Sequence, residues 1–215
     1  MRKKVVSAIL CASMVAGMVV IPGVAVKADD KKLIGVTMPT KDLQRWNQDG
    51  ENMKKELEAA GYEVDLQYAS NDVSTQVSQL ENQVANGCDL LVVASIDGSS
   101  LGEPLKQAKE AGIPVISYDR MVNNANTDLY ISFDNRKVGE IMAQALVNAL
   151  PQGGDVFMIQ GSSSDNNVQM VKQGFDDMLA DTDLHVVYEA NCDGWTAELA
   201  AGYVEEALEK YPHVK

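Results

Sequence analysis

The chain has 215 residues, of which 46% are hydrophobic, 23% charged and only 6% aromatic. This balance is typical of an ordinary soluble α/β protein and excludes disordered and collagen-like chains. The formal net charge of −13 would repel a phosphate backbone and no basic stripe is visible, so the composition excludes nucleic acid as a partner.

The first 28 residues differ from the rest of the sequence. A basic start at residues 2–4 precedes an almost uncharged apolar stretch over 5–26, which ends in small residues. This pattern predicts an export signal over residues 1–28. The stretch is long enough to span a bilayer, but Pro22 interrupts it near its end, which favours a cleaved signal over a membrane anchor. Lipid attachment at Cys11 is a third alternative, although this cysteine lies early in the apolar stretch.

From Lys32 onward, short β-branched runs alternate with longer amphipathic stretches. This alternation predicts βαβ units and a parallel sheet. The predicted strands cover residues 33–37, 63–68, 89–94, 115–118, 129–133, 155–160 and 185–189. Apolar residues spaced by three and four predict helices between and after them, over residues 43–57, 77–84, 101–111, 138–146, 167–180 and 196–210.

A domain boundary is predicted close to Asp134, where the fifth strand ends and a new strand and helix series begins. The first lobe would cover residues 32–134 and the second lobe residues 135–215. The second lobe has only two predicted strands, and a parallel pair buries too little surface to be stable alone. We therefore expect the second lobe to be incomplete in this chain.

Polar and aromatic residues follow the carboxyl ends of the predicted strands. In open parallel sheets, ligands bind beyond these ends, so these residues are the candidate site. They include Arg45, Trp46, Asp119, Arg120, Asn167 and Trp195.

Such a set suits a sugar. Each hydroxyl of a pyranose is both a donor and an acceptor, and the planar groups of Asp, Asn and Arg can bridge neighbouring hydroxyls. The C–H faces of the ring are apolar, and an indole covers them at little cost in conformational entropy. The sequence therefore predicts a polar cleft that holds a monosaccharide.

Several of these residues also have structural interpretations. Trp46 lies on the apolar stripe of its helix and could belong to the core. Asp119 and Arg120 could form a surface ion pair, although their position at a strand end favours binding. Residues 134–135 are interpreted as a helix cap, and one residue of 166–167 is expected to cap the following helix.

Motifs for catalysis or cofactors are absent from the sequence. The glycine and serine run at residues 161–164 lacks the lysine of a P-loop and is interpreted as a tight turn. The two histidines are too few and too far apart for a zinc site. No enzyme, cofactor or metal is predicted. Cys88 and Cys192 could pair, but two buried free thiols are the favoured interpretation.

Six sequence motifs carry a resemblance to a known family, and together they span nearly all of residues 33–195 in family order: MPTKDLQRW, QVSQLENQVANGCDLLVVASIDG, GIPVISYDRM, YISFDN, the DNN of GSSSDNN, and DGW. The chain resembles the periplasmic sugar-binding proteins of the ribose-binding type, and most closely the xylose-binding and multiple-monosaccharide-binding members. The resemblance implies a type I periplasmic binding fold, in which two Rossmann-like lobes with parallel sheets close on one sugar. It also implies that further sugar contacts lie in a C-terminal part that this chain lacks.

The resemblance also implies site residues and partners. Carried over by motif, the sugar contacts are Arg45, Asp119, Arg120, Asn167 and Trp195, with Trp46 as a weaker correspondence. The expected function is capture of a monosaccharide, D-xylose or a related aldose, for the permease of an ABC importer. An alternative is a sensor that presents its sugar to a chemoreceptor or a sensor kinase, and an exported hydrolase is less favoured. The expected location is the periplasm or the outer face of the cell membrane.

Overall fold

A computed structural model of the chain describes residues 31–123, 125 and 127–214, and it places them in two parallel sheets with helices packed against them. The predicted export signal over residues 1–28 lies outside the described residues. In the part of the chain that the structure describes, no helix is long and apolar enough to cross a membrane.

The first sheet has five strands in the order β2-β1-β3-β4-β5, and every neighbouring pair is parallel. Its elements in chain order are β1 (Leu33–Met38), α1 (Gln44–Ala59), β2 (Glu63–Tyr68), α2 (Val73–Ala85), β3 (Leu90–Val93), α3 (Gly102–Glu110), β4 (Val115–Tyr118) and β5 (Leu129–Ile131). We call residues 32–134 the five-stranded region.

The central strand of this sheet, β3, is apolar along its whole length because both of its faces are covered. On β3, Leu91 and Val93 face one core, which also contains Leu80 from α2. Val92 faces the opposite core, which contains Trp46 from α1. Strands buried on both faces are expected to be continuous runs of valine, isoleucine and leucine, as observed here.

The second sheet has two parallel strands, and a 3-10 turn precedes its last helix. Its elements are α4 (Asn135–Ala149), β6 (Gly154–Gln160), α5 (Asn166–Leu179), β7 (Leu184–Asn191), the turn Asp193–Trp195 and α6 (Ala197–Lys210). We call residues 135–214 the two-stranded region. Together with the five-stranded region it forms a single compact unit, so the predicted boundary between two lobes remains a prediction.

Two glycines allow α4 and α5 to pack closely. A Cβ atom added at Gly139 would lie 1.9 Å from the carbonyl oxygen of Val171, and one at Gly174 would lie 2.0 Å from the carbonyl oxygen of Arg136. Since neither backbone can move away without separating the helices, glycine is required at both positions. This contact fixes the position of the middle of α5, whose first turn carries part of the site described below.

The predicted order of strands and helices is confirmed, and the differences lie at element ends. The bounds predicted for β2 and β4 are those observed. Helix α2 begins four residues before its predicted start, since the carboxylate of Asp72 caps it by accepting from the N–H of Thr75. Helix α4 begins three residues early for the same reason, because Asp134 accepts from the N–H of Lys137. The interpretation of Asp134 as a helix cap is therefore confirmed.

Candidate ligand-binding cleft

All six predicted site residues lie in one connected cluster at the carboxyl ends of the strands. Arg45 donates to Asp119, and Asp119 accepts from Asn167. The guanidinium of Arg120 lies over the ring of Trp46 at 5.0 Å and over that of Trp195 at 6.0 Å. The loops after β1, β4, β6 and β7 therefore meet at one place, as expected for a parallel α/β fold.

Asp119 has a left-handed backbone, with φ of 61°. This conformation is uncommon for a residue other than glycine, although Asp tolerates it better than most. Its carbonyl oxygen accepts three hydrogen bonds, from Ser132 Oγ at 2.7 Å, Tyr130 OH at 3.2 Å and Asn167 Nδ2 at 3.2 Å. These donors hold the strained backbone in place, and strain of this kind concentrates at functional sites.

Arg45 binds the Asp119 carboxylate with both ends of its guanidinium. Nη2 donates to Oδ1 at 2.8 Å and Nη1 donates to Oδ2 at 3.3 Å, while Nε lies 3.4 Å from Asp49. Partial burial disfavours the charge on Arg45, but the hydrogen bond and the charge of Asp119 outweigh it and raise the pKa of Arg45. The side chain that reaches from α1 is thereby fixed against the carboxylate of Asp119.

Arg120 does not pair with its neighbour Asp119. Its Nε lies 2.9 Å from Asp165 Oδ2, and its Nη1 donates to the carbonyl oxygen of Ser95 at 3.1 Å. Asp119 is 4% exposed and Arg120 is 6% exposed, so the interpretation as a surface ion pair is wrong. Burial lowers the pKa of Arg120, and the charges of Asp165 and Asp119 oppose that effect.

Trp46 is a core residue, which is the structural interpretation considered from the sequence. Its ring is buried in the core between α1 and the sheet. The same ring carries two cations, with the guanidinium carbon of Arg45 at 4.6 Å and that of Arg120 at 5.0 Å from its centroid. Cations over an indole face are attracted by its quadrupole. Trp46 therefore forms the floor beneath both arginines.

Trp195 lies over Gly161 and remains 40% exposed. A Cβ atom at Gly161 would lie 2.3 Å from two carbons of the indole, so only glycine permits this position of the ring. Trp195 has a left-handed backbone with φ of 60°, and it follows Gly194, which has φ of 62°. Two consecutive left-handed residues turn the chain after β7 so that the indole reaches back over the end of β6.

The residue that caps α5 is neither of the two that were predicted, Asn166 and Asn167. The N-cap is Asp165, whose Oδ1 accepts from the N–H of Asn167 at 2.9 Å. The expectation that residue 166 or 167 caps this helix is therefore wrong. Asn166 instead donates to Asn123 Oδ1 at 2.5 Å, which links the two-stranded region to the five-stranded region. Freed from capping, the Asn167 side chain reaches Asp119.

Two residues of the cluster, Asp49 and Asp165, were not among the predicted site residues. Asp165 could have been found, because an aspartate directly before an apolar helical pattern is a typical N-cap. The contact between Asp165 and Arg120 could not have been found from the sequence, because this contact depends on how the two sheets are placed. Asp49 is four residues after Arg45 on α1, and this spacing favours an ion pair on a helix surface.

The cluster can form hydrogen bonds with the hydroxyl groups of a neutral ligand. Two arginines and two aspartates, Asp119 and Asp165, pair with each other, so their charges are balanced before any ligand arrives. The exposed face of Trp195 offers an apolar surface beside these polar groups. Within the described residues, no group of His, Cys, Asp and Glu side chains is arranged to hold a metal ion. Cys88 and Cys192 are buried free thiols, which confirms the favoured interpretation.

A cavity of about 610 Å³ lies next to this cluster. Apolar side chains of α4, β6 and α5 form most of its wall, and Trp195 is the one predicted site residue that lines it. An apolar wall cannot satisfy the hydroxyls of a sugar. The polar cluster rather than this cavity is therefore the candidate ligand site.

Comparisons with known proteins agree with the resemblance. The profile of the family described as periplasmic binding protein domain matches residues 34–215. The D-xylose-binding periplasmic protein of Escherichia coli is 38% identical over 97% of this chain and 62% of its own length. The multiple sugar-binding periplasmic receptor of Rhizobium radiobacter is 44% identical over 77% of this chain and 48% of its own length.

A solved structure of a sugar-binding protein is also similar to this chain. It is an ABC transporter solute-binding protein from Clostridium phytofermentans with bound β-D-glucose, which is 46% identical and superposes with a TM-score of 0.79 over 84% of this chain and 60% of its own. The predicted α/β fold with parallel sheets is confirmed. This chain spans 48% to 62% of the length of these three proteins.

Proposed function

Because the chain belongs to the periplasmic binding protein family, we propose that it is the extracytoplasmic sugar-binding component of an ABC importer. The ligand is a neutral monosaccharide, D-xylose or a related aldose, and the contacts are Arg45, Trp46, Asp119, Arg120, Asn167 and Trp195. In this proposal residues 32–134 and 135–215 act as two lobes on either side of the sugar. The family is one of binding proteins, so the chain is not an enzyme.

The observation that carries this proposal is that six side chains from four distant segments of the sequence meet in one cluster at the strand ends. Four of them, Arg45, Asp119, Arg120 and Asn167, are planar groups with several hydrogen-bonding atoms. A further two are indoles, of which Trp195 keeps an exposed face. Planar polar groups beside an aromatic face are what the hydroxyls and the C–H face of a pyranose require.

The charges of the cluster favour a neutral sugar over an acidic or phosphorylated one. Each arginine already has a carboxylate partner, Asp119 for Arg45 and Asp165 for Arg120. A carboxylate or phosphate on the ligand would have to compete with these buried partners and would lie near Asp49 as well. Like charges at such distances oppose binding. The proposed ligand class is therefore uncharged.

Relatives support an aldose in particular. Two of them are named for binding D-xylose and multiple sugars, and the solved structure holds β-D-glucose. Those proteins are periplasmic or belong to an ABC transporter, which supports export and an importer permease as the partner. The choice among xylose, glucose, ribose, arabinose and galactose rests on these relatives.

The test is calorimetric titration of the purified intact gene product with D-xylose, D-glucose, D-ribose, L-arabinose and D-galactose. Glucose 6-phosphate and xylonate serve as charged controls of matched carbon skeleton. We expect micromolar or tighter binding of at least one neutral aldose and none of the charged sugars. Folded protein that gives no heat with any neutral aldose would overturn the proposal. Recovery of a chemically altered sugar after incubation would also overturn it, in favour of an enzyme.

A further inference from the structure

We propose that Asn123 and Asn166 form a latch, a contact that holds the five-stranded and the two-stranded region together in the absence of sugar and so raises the affinity of the site. The inference rests on the proposed function, since it concerns what sets the affinity of that site. Neither asparagine is among the six proposed sugar contacts. The latch acts on the relative position of the two regions and not on the sugar.

The two regions have separate apolar cores. Two core clusters lie in the five-stranded region, around Leu91 and Trp46, and a third lies in the two-stranded region, around Phe175. Among the described residues, no cluster contains side chains of both regions, and the chain passes from one region to the other once, after Asp134. Regions that meet through polar contacts are expected to move relative to one another. The contacts across the boundary therefore decide how often the site is closed.

The side-chain amides of the two asparagines bind each other. Nδ2 of Asn166 donates to Oδ1 of Asn123 at 2.5 Å, and Nδ2 of Asn123 donates to Oδ1 of Asn166 at 3.5 Å. Both side chains are half-buried, so water can replace each partner when the regions separate. A neutral hydrogen bond that exchanges with water contributes little net free energy. The pair can therefore favour the closed arrangement without making it permanent.

A second contact joins the loops beside this pair. The N–H of Gly98, in the loop after β3, donates to the carbonyl oxygen of Ser164 at 3.4 Å. Ser164 Oγ donates to the carbonyl oxygen of Ile96 at 3.5 Å. The N–H of Asn123 donates to the carbonyl oxygen of Gly98 at 2.6 Å. The loops after β3 and β4 thus form one surface against residues 164–166, and Asn123 is held on that surface.

The latch differs from the polar contacts that the sugar site itself makes between the regions. Arg120 reaches across the boundary to Asp165, and Asn167 reaches across it to Asp119. Three of these four residues are proposed sugar contacts, so a bound sugar would compete with their present partners. The latch contains none of the four. It therefore favours the closed arrangement both before and after the sugar binds.

A contact that favours the closed arrangement raises the apparent affinity. A sugar that needs both regions binds in proportion to the closed fraction, because the free energy of closing is subtracted from its binding free energy. Removal of the latch lowers the closed fraction of the sugar-free protein. It also makes the closed complex open more often, so the sugar dissociates faster.

The first test is a double-mutant cycle of Asn123→Ala and Asn166→Ala in the intact gene product. Asn166 is the first residue of α5 and Asp165 is its cap, so alanine at residue 166 leaves the capped helix intact. We titrate D-xylose or D-glucose, whichever the wild-type protein binds more tightly. Each single variant is expected to bind this sugar about three- to tenfold more weakly.

The double variant should bind no more weakly than the weaker of the two single variants, because both substitutions remove the same contact. The matched control is Asn82→Ala, which removes an exposed asparagine of α2 in the five-stranded region. This control should bind as the wild type does.

Small-angle X-ray scattering of the sugar-free protein separates a latch from a direct contact with the sugar. Without sugar we expect a larger radius of gyration for Asn166→Ala than for the wild type, and equal radii when both are saturated with sugar. Asn82→Ala should match the wild type in both conditions. If an alanine variant does not fold, Asn123→Asp combined with Asn166→Asp places like charges against each other and should open the regions in the same way.

The outcomes distinguish the latch from the proposed function. Wild-type protein that binds no neutral aldose refutes the proposed function, and with it the effect of the latch on affinity. If the wild type binds, equal sugar-free radii of the wild type and Asn166→Ala refute the latch alone. A larger radius without any change in affinity refutes its effect on the site. Additive losses in the double variant refute the pairing of Asn123 with Asn166.

Discussion

The two regions of the molecule bury their strands to different degrees. In the five-stranded region, β1 and β3 are buried along almost their whole length, with helices against both faces. In the two-stranded region, most residues of β7 are only half-buried, and α6 leaves Leu199, Val204 and Leu208 exposed. The five-stranded region therefore holds the larger share of the apolar burial that stabilises the described residues.

This difference extends to the way each region supplies residues to the site. Asp119 in the five-stranded region is held by three hydrogen bonds to its carbonyl oxygen, two of them from hydroxyl groups of the same region. The indole of Trp195 in the two-stranded region makes one side-chain hydrogen bond, to Asp165, and fits against Gly161. Hence the loss of one donor leaves two others on Asp119, whereas a single substitution can remove the hydrogen bond of the Trp195 indole.

The largest expected effect is a loss of stability in the five-stranded region. Leu91→Ala removes a fully buried side chain from the core beside α2 and α3, and we expect it to lower the free energy of unfolding by about 2 to 5 kcal/mol. Leu208→Ala in the two-stranded region removes the same atoms from an exposed position and should cost at most about 0.5 kcal/mol. Urea unfolding followed by circular dichroism measures both. Equal losses of unfolding free energy in the two variants would contradict the difference in burial between the two regions.

A smaller effect is expected on ligand affinity when Asp119 of the five-stranded region is altered. Asp119→Asn keeps a side chain that tolerates the left-handed backbone but removes the charge that binds Arg45. We expect binding of the preferred sugar to weaken by about 1 to 3 kcal/mol or more, because donors that faced a carboxylate lose their partner. Calorimetric titration measures the change, with the exposed Asp181→Asn as the control. An affinity equal to that of the wild type would remove Asp119 from the site.

Helix packing in the two-stranded region can be tested by replacing two glycines with alanine. Gly174→Ala forces a methyl group against the carbonyl oxygen of Arg136, and we expect it to lower stability by about 1 to 3 kcal/mol. Gly202→Ala in α6 meets no atom within 4 Å. Its better helix propensity should raise stability by up to about 1 kcal/mol. Thermal unfolding measures the stability of both variants, which should change in opposite directions. A higher stability of Gly174→Ala would show that α4 and α5 do not pack closely.

The smallest effect concerns the two buried thiols, one in each region. Burial, together with the charges of Asp65 and Asp89, raises the pKa of Cys88 to about 11. Since this exceeds the pKa of an unfolded cysteine, about 8.5, the protonated thiol stabilises the fold below that pH, and the contribution is lost as the pH rises through 11.

Alkylation by iodoacetamide at about pH 8 reports on this thiol because only the thiolate reacts. In native protein we expect Cys88 to react at least tenfold more slowly than free cysteine. As urea is added, Cys192 should be labelled before Cys88, since it lies in the less buried region. Single variants Cys88→Ser and Cys192→Ser identify each site by mass spectrometry. Labelling of Cys88 first would reverse the proposed order of stability.

Much of the fold could be predicted from the sequence, because the signals are local. The bounds of β2 and β4 are as predicted, and the end of α3 is marked by Gly112, whose φ of 74° suits glycine. Ligands bind beyond the carboxyl ends of parallel strands, and this rule selected six residues that lie together in the structure. Where bounds differ, the reasons are local: the capping Asp72 of α2 had not been predicted, whereas the cap at Asp134 of α4 had been predicted but the apolar pattern begins only at Val138.

The partners within the site could not be predicted in this way. Asp119 and Arg120 are adjacent in the sequence, and a local interpretation pairs them with each other. In the structure each binds a residue from another element, Asp119 to Arg45 of α1 and Arg120 to Asp165 before α5. The contacts of Asp165 are hidden for the same reason, since two of its partners, Arg120 and Trp195, follow other strands.

The sequence by itself thus determined the order of the strands and helices and the residues that stand at the strand ends. Periodicity, capping and turn chemistry act over a few residues, so they can be read from neighbours in the chain. Only the tertiary structure decided which carboxylate faces which arginine, that the buried ring of Trp46 lies against both arginines, and that Gly161 leaves room for Trp195. These contacts join residues far apart in the sequence, and they exist only once the sheets have brought the strand ends together.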